Sequence, residues 1–110
     1  MQDLNCIFCK IIAGTIPAHI IYQTDLSFVI KDIAPQAPIH YLILPKQHIH
    51  DLVACQDTQL LADLMSIPAV LAQQIGPDTA FKLSTNNGYA AGQRVFHLHF
   101  HFLSGKTFTE

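Results

Sequence analysis

The sequence predicts an α+β domain, an antiparallel sheet of five strands with helices to one side. Two observations carry that reading. The elements run short helix, three strands, long helix, two strands, an order with few crossovers. The run Val95-Phe96-His97-Leu98-His99-Phe100-His101-Phe102-Leu103 alternates imidazole and apolar residues, the period-two repeat of a strand with one packed face. A chain of 110 residues suits a single domain, 1–110, with one modest core.

Composition narrows the classes. Half the residues are hydrophobic and the formal charge is −2, which argues against disorder and against a groove for polymeric DNA or RNA. A small phosphate ligand stays open, because backbone N–H groups bind anions without basic side chains. The first residues lack a basic and apolar leader, and no apolar run has membrane-spanning length. Three cysteines, an odd number, do not make a secreted disulfide framework. The expectation is a cytoplasmic protein that binds no membrane.

Along the chain, Cys6 to Ala13 reads as a short helix with Asn5 as its N-cap and Gly14 as its stop. Pro17 breaks the chain. Strands are expected at His19–Gln23 and Ser27–Lys31 around a turn at Thr24-Asp25. The loop Asp32-Ile33-Ala34-Pro35-Gln36-Ala37-Pro38 leads into a third strand, Ile39–Leu44, which Pro45 ends. Asp57 is the N-cap of a long helix, Thr58–Ile75, with Leu60, Leu61, Leu64, Ile67, Ala69, Leu71 and Ile75 as its apolar stripe. Pro68 should kink or split that helix. Thr79–Thr85 is the fourth strand, Asn86–Gly92 a glycine-containing loop, Val95–Leu103 the fifth strand, and Ser104–Glu110 a polar tail.

The fifth strand puts His97, His99 and His101 on one face and Phe96, Leu98, Phe100 and Phe102 on the other. An isolated histidine on a strand is usually a surface or satisfied core residue. Three at period two are different, since burying three imidazoles demands three sets of partners. The row either holds a metal or presents one imidazole as a nucleophile with its neighbours as orienters and acids. Cys6 and Cys9 alone fit a redox pair, half a zinc site, or two buried small residues. Ser104-Gly105-Lys106-Thr107 is no P-loop, because the required earlier glycine is Phe100.

His97-Leu98-His99-Phe100-His101-Phe102-Leu103 resembles the signature of the histidine triad (HIT) family. Cys6-Ile7-Phe8-Cys9-Lys10-Ile11-Ile12, Asp32 to His40, Leu44-Pro45-Lys46-Gln47-His48-Ile49 and Gly92 to His97 resemble its nucleotide-binding, HINT-like branch, in the family's order from Cys6 to Gly105. The resemblance implies a five-stranded antiparallel sheet, a homodimer, and hydrolysis or transfer at the α-phosphorus of purine nucleoside phosphoramidates. AMP, GMP and their phosphoramidates are the implied ligands.

By that resemblance His99 is the nucleophile, passing through a nucleotidyl-histidine. A neutral imidazole attacks without prior deprotonation, provided its far N–H has an acceptor such as a backbone carbonyl. His101 is placed to donate to phosphate oxygens. His40 is either a supporting partner or a partly buried strand-end residue. Asp32 matches the ribose-binding acid, although an Asp before such a loop also serves turn chemistry. Ile7, Phe8, Ile30, Ile33 and Leu42 are candidates for the base pocket, with ordinary core as the alternative. Gly92, Gln93 and Arg94 match the phosphate-contacting stretch, Gln93 offering its side-chain amide. Arg94 stands where the family often has a small hydroxyl residue, and either strengthens phosphate binding, alters the leaving group or faces solvent. Asn86 matches a nucleotide contact.

Bacterial relatives further imply a structural zinc held by Cys6, Cys9, His48 and His97, a complete tetrahedral set outside the chemistry itself. No cofactor is expected for the reaction. Cys55 is expected to be inert, and His19 and His50 to lie on the surface. The tail lacks the aromatic end of eukaryotic relatives. Two other functions fit the same residues: a dinucleoside polyphosphate hydrolase, and a nucleotide- or zinc-binding regulatory module.

Overall fold

Two stretches, Phe28-Val29-Ile30 and Leu42-Ile43-Leu44, are apolar at every position, the mark of strands buried on both faces. The computed structural model, which describes residues 3–109, places them side by side in the middle of a sheet. Its elements are α1 (Ile7–Ile12), β1 (Ile20–Gln23), β2 (Ser27–Lys31), β3 (Ile39–Pro45), α2 (Thr58–Ile75), β4 (Phe81–Ser84) and β5 (Phe100–Ser104), with one 3₁₀ turn at Tyr89–Ala91. The five strands lie in the order β1-β2-β3-β5-β4, and every pairing is antiparallel. No helix among the described residues is long and apolar enough to cross a membrane.

The helices do not share one side. Val29 and Ile43 pack with Leu60, Leu64, Ile67 and Leu71 of α2. Ile30, Leu42 and Leu44 pack with Cys6, Phe8 and Cys9 around α1. Alternate residues of a strand point to opposite faces, so α2 covers one face and α1 the other. The expectation of helices to one side is corrected, for the reason the uniformly apolar strands supply.

α2 forms over the expected residues. Asp57 caps it by accepting from Gln59 N and Leu60 N at 3.0 and 3.2 Å. Pro68 lies inside a helix that continues through it without a break. The helix loses one backbone donor there, and burial of Leu64, Ile67 and Leu71 on either side holds it on the sheet. In α1 the N-cap is Cys6 and not Asn5, with Cys6 Sγ accepting from Cys9 N at 3.5 Å. Gly14, at φ 80°, follows the helix in the left-handed conformation that its stop required.

The largest departure concerns the histidine run. β5 begins at Phe100 and not at Val95, and the chain bends at Val95, Phe96 and His97. Pro45, across from this region, ends the ladder on β3. Its carbonyl oxygen is taken instead by the His97 ring, Nε2 to O 2.8 Å. Leu98, Phe100 and Phe102 still enter the core beneath α2. Phe96 does not join them: it is exposed and stacks on His50, with ring centroids 4.9 Å apart.

Candidate functional site

The three histidines of the run have three different surroundings. His97 is fully buried. A carbonyl only accepts, so the 2.8 Å contact to Pro45 O fixes the His97 proton on Nε2. Its Nδ1 lone pair then faces Cys6 Sγ at 3.3 Å and Cys9 Sγ at 3.7 Å. Burial, the larger cause, and the neighbouring His48 and His99 push its pKa down to about 4.

His99 is fixed by the same logic in the opposite sense. Its Nδ1 lies 2.7 Å from the carbonyl oxygen of His97, so Nδ1 carries the proton and Nε2 keeps the lone pair. Thr85 Oγ1 donates to the His99 carbonyl at 2.7 Å and ties this bend to the end of β4. Phe8 of α1 packs edge-on against the rings of both His97 and His99, with centroids at 5.6 and 5.3 Å.

His101, on β5, meets β3. Its Nδ1 is 2.9 Å from His40 Nε2. His40 Nδ1 accepts from the backbone N–H of Gln36 at 3.1 Å, and His40 Nε2 is 3.4 Å from Asp32 Oδ2. His40 is buried and burial lowers its pKa, with Asp32 opposing. Burial also pushes His101 down to about 4, aided by His99 and His40 and opposed by Asp32. Ligand atoms of Asp32, His40 and His101 lie within 4.8 Å of one another. With Gln36 bonded to Nδ1, however, His40 carries its proton on Nε2, which is then no metal ligand.

A second cluster lies beneath α1. Cys9 Sγ is 3.4 Å from His48 Nδ1. Ligand atoms of Cys6, Cys9, His48 and His97 all fall within 4.8 Å of one another. The imidazoles are oriented from behind: Pro45 O accepts from His97 Nε2 at 2.8 Å, and Asp3 Oδ2 stands 3.8 Å from His48 Nε2. Two sulfurs, two nitrogens and an oxygen behind each ring suit a soft tetrahedral ion. Burial raises the Cys6 thiol pKa, with Cys9 contributing in both directions.

A cavity of about 360 Å³ opens in front of His99 and His101. Of the sequence candidates, Ile7, Phe8, Ile30, Asp32, Ile33 and Leu42 line it. Asp32 also does turn work, with Oδ1 accepting from Ala34 N at 2.8 Å. Sequence reasoning missed the far wall, Ile16, Pro17 and Ala18, and the rim residue His19. Pro17 signalled only a chain break. His19 is exposed as expected, and so is His50, while Cys55 is buried in the α2 core.

Four of the nucleotide-binding candidates, Asn86, Gly92, Gln93 and Arg94, do not line this cavity. Gln93 is almost fully buried. Its amide nitrogen donates to His50 O and Val95 O at 2.8 and 3.1 Å, and its amide oxygen accepts from Gly88 N at 2.8 Å. No donor is left for phosphate, so Gln93 is a loop brace. Arg94 donates to Tyr89 O at 2.8 Å, covers the Tyr89 ring at 3.8 Å, and lines a separate cavity beside Asp3 and His48. Gly92 has φ 104°, and a Cβ there would meet Asn86 Nδ2 at 2.6 Å. Gly92 therefore packs closely against the Asn86 side chain.

A family model for the HIT domain matches residues 13–108. A HIT-like protein of Synechocystis is 44% identical over 107 residues, covering 96% of this chain and 94% of that protein. The structure is similar to that of a HIT family hydrolase from Clostridium thermocellum, with TM-score 0.92 and 38% identity over 99% of this chain and 97% of that one. It is also similar to a histidine triad nucleotide-binding protein from Candida albicans, with TM-score 0.85 and 34% identity over 94% of this chain and 76% of that one.

Proposed function

Because this chain belongs to the HIT domain family, we propose that it is a nucleotidyl hydrolase of the HINT-like branch, cleaving purine nucleoside phosphoramidates at the α-phosphorus. The observation that carries the reading is the 2.7 Å contact from His99 Nδ1 to the His97 carbonyl. It leaves Nε2 of His99 as an unprotonated nitrogen on a ring that lines the cavity. That nitrogen attacks phosphorus. The P–N bond breaks, its electron pair leaves with the amine, and the amine takes up a proton. Water then attacks the nucleotidyl-imidazole, releasing the nucleotide and restoring the ring.

The remaining residues bind and orient. The apolar walls at Phe8, Ile30 and Leu42 take the base. The Asp32 carboxylate accepts from the ribose hydroxyls through its remaining lone pairs. His101 Nε2 donates to the phosphate oxygens as charge grows on them. The hydrolase name of the Clostridium thermocellum structure and the nucleotide-binding name of the Candida albicans one support this reading.

Cys6, Cys9, His48 and His97 would hold a zinc ion in the same proposal, supported by the donor set and by the Pro45 oxygen that accepts from His97 Nε2. An ion held by four protein ligands would supply structure and not Lewis-acid chemistry. The protein acts as a cytoplasmic homodimer, the whole chain being one domain. Met65 and Ile75 on α2 and Phe81 on β4, left exposed, support a partner surface there.

The test compares turnover of an adenosine 5′-phosphoramidate with that of a diadenosine polyphosphate, in the native protein and in His99→Ala. Faster cleavage of the phosphoramidate, lost in the variant, is expected. Preference for the polyphosphate would move the chain to the dinucleoside polyphosphate hydrolases. Turnover of neither, with nucleotide still bound, would leave a binding module.

A further inference from the structure

The proton positions around His101 follow from one backbone group. Gln36 N–H points at His40 Nδ1 at 3.1 Å. A nitrogen that accepts a hydrogen bond carries no proton, so neutral His40 carries its proton on Nε2. That proton lies toward His101 Nδ1 at 2.9 Å, with Asp32 Oδ2 at 3.4 Å from the same nitrogen. His101 Nδ1 therefore accepts, and neutral His101 holds its only proton on Nε2.

We infer that the backbone N–H of Gln36 is a positioning group for the reaction, locking His101 through His40 as a neutral hydrogen-bond donor that gives the departing amine no proton. The inference rests on the proposed phosphoramidase reading for its chemistry and on the geometry alone for the proton positions. Donating Nε2–H outright would leave His101 as an imidazolate. The chain offers no refill: His40 passes its Nε2 proton only if it gains one on Nδ1, and Gln36 N–H occupies that lone pair. Protonation of His101 is disfavoured in the same way, since its Nδ1–H would face the Nε2–H of His40.

The balance of the first step changes accordingly. The bond from His99 Nε2 to phosphorus forms and the P–N bond breaks. The electron pair goes to nitrogen, which takes its proton from water or was protonated before cleavage. His101 stabilises phosphate oxygens throughout and keeps its proton. Amines that leave readily are then the favoured substrates, because the enzyme lends them no acid.

The groups facing His101 are His99 in an edge contact at 5.2 Å, His40 on β3, and Asp32 beside it. Lys31 and His19 stand at the rim of the same cavity. None of them offers a second acceptor for His101 Nδ1–H in this geometry, so removing the Gln36 N–H is the specific perturbation. Gln36→Pro deletes it, and Gln36→Ala keeps it.

The experiment is ¹⁵N NMR of the histidine rings in the ligand-free protein. Native protein and Gln36→Ala should show His40 and His101 both protonated on Nε2. In Gln36→Pro, His101 should gain a population with the proton on Nδ1, and its titration midpoint should move up. A native His101 protonated on Nδ1, or a Gln36→Pro protein with native tautomers, would overturn the inference. If Gln36→Pro does not fold, the native protein decides by ¹⁵N–¹⁵N couplings across the Gln36 N to His40 Nδ1 and His40 Nε2 to His101 Nδ1 hydrogen bonds. Both couplings are expected, and absence of either refutes the lock. No substrate is turned over in these measurements, so failure of the phosphoramidase reading and failure of the lock are separately visible.

Discussion

Acid should destabilise this fold through His101. The pKa of its imidazole falls from 6.5 to about 4, chiefly through burial, whereas the unfolded chain leaves it at the ordinary value. Between those two pH values the unfolded state binds the extra proton, so stability is full above about pH 6.5 and is lost as pH falls toward 4. Going from pH 7 to pH 5, the linkage relation gives a loss of about 2 kcal/mol. Partial exposure of the ring to solvent trims this to roughly 1–2 kcal/mol, a sizeable share of the ~5–15 kcal/mol typical of a domain. The assay is urea unfolding at pH 7 and pH 5, in chelator, of the native protein and of His101→Asn. The drop in the native protein should exceed that in the variant by the stated amount. Equal drops in the two proteins, or a native protein more stable at pH 5, would refute the assignment of a buried neutral imidazole at this position.

Gly92→Ala should destabilise by about 1–2 kcal/mol, since it combines a positive φ with a Cβ driven against Asn86; a melting temperature unchanged by the substitution would contradict the packing described. Asp32→Asn should compress the preference for ribonucleotide over 2′-deoxyribonucleotide substrates roughly tenfold, a bidentate acceptor being lost, and an unchanged ratio of kcat/KM values would remove Asp32 from the ribose site. Cys9→Ser should lower bound zinc well below one ion per chain by elemental analysis, and should lower the melting temperature of protein prepared with zinc. Full metal content in that variant would move the ion elsewhere.

Much of the fold was legible because its signals are local. β2 and α2 fall on their predicted residues, since the apolar run, the Asp57 cap and the turn residues act within a few positions of themselves. The side taken by α1 depends on tertiary packing, yet the apolar runs in β2 and β3 already carried the hint. The start of β5 departs from the expected residue for a different reason. A period-two pattern fixes which way side chains point, and Leu98, Phe100 and Phe102 do point together. It does not fix hydrogen-bond pairing, which ends at the Ile43–Phe100 pair, two residues before Pro45.

The site divides along the same line. Residue types that resembled a family signature led to His99, His101, Asp32, Cys6, Cys9, His48 and His97, and the structure gathers them into one cavity and one cluster. What decides their chemistry is carried by backbone atoms, namely the carbonyls of Pro45 and His97 and the N–H of Gln36. Any residue supplies such atoms, so no side-chain pattern announces them. Gln93 illustrates the converse. Its amide is a credible phosphate donor by type, but bonds to Gly88, His50 and Val95 occupy it fully.

The most direct test of the central claim is to trap the covalent intermediate. Protein is mixed with an adenosine 5′-phosphoramidate, quenched within the first turnover, digested and sequenced by mass spectrometry. One nucleotidyl group is expected, on His99, absent from His99→Ala. A label on another residue, or turnover that continues in His99→Ala, would contradict the claim.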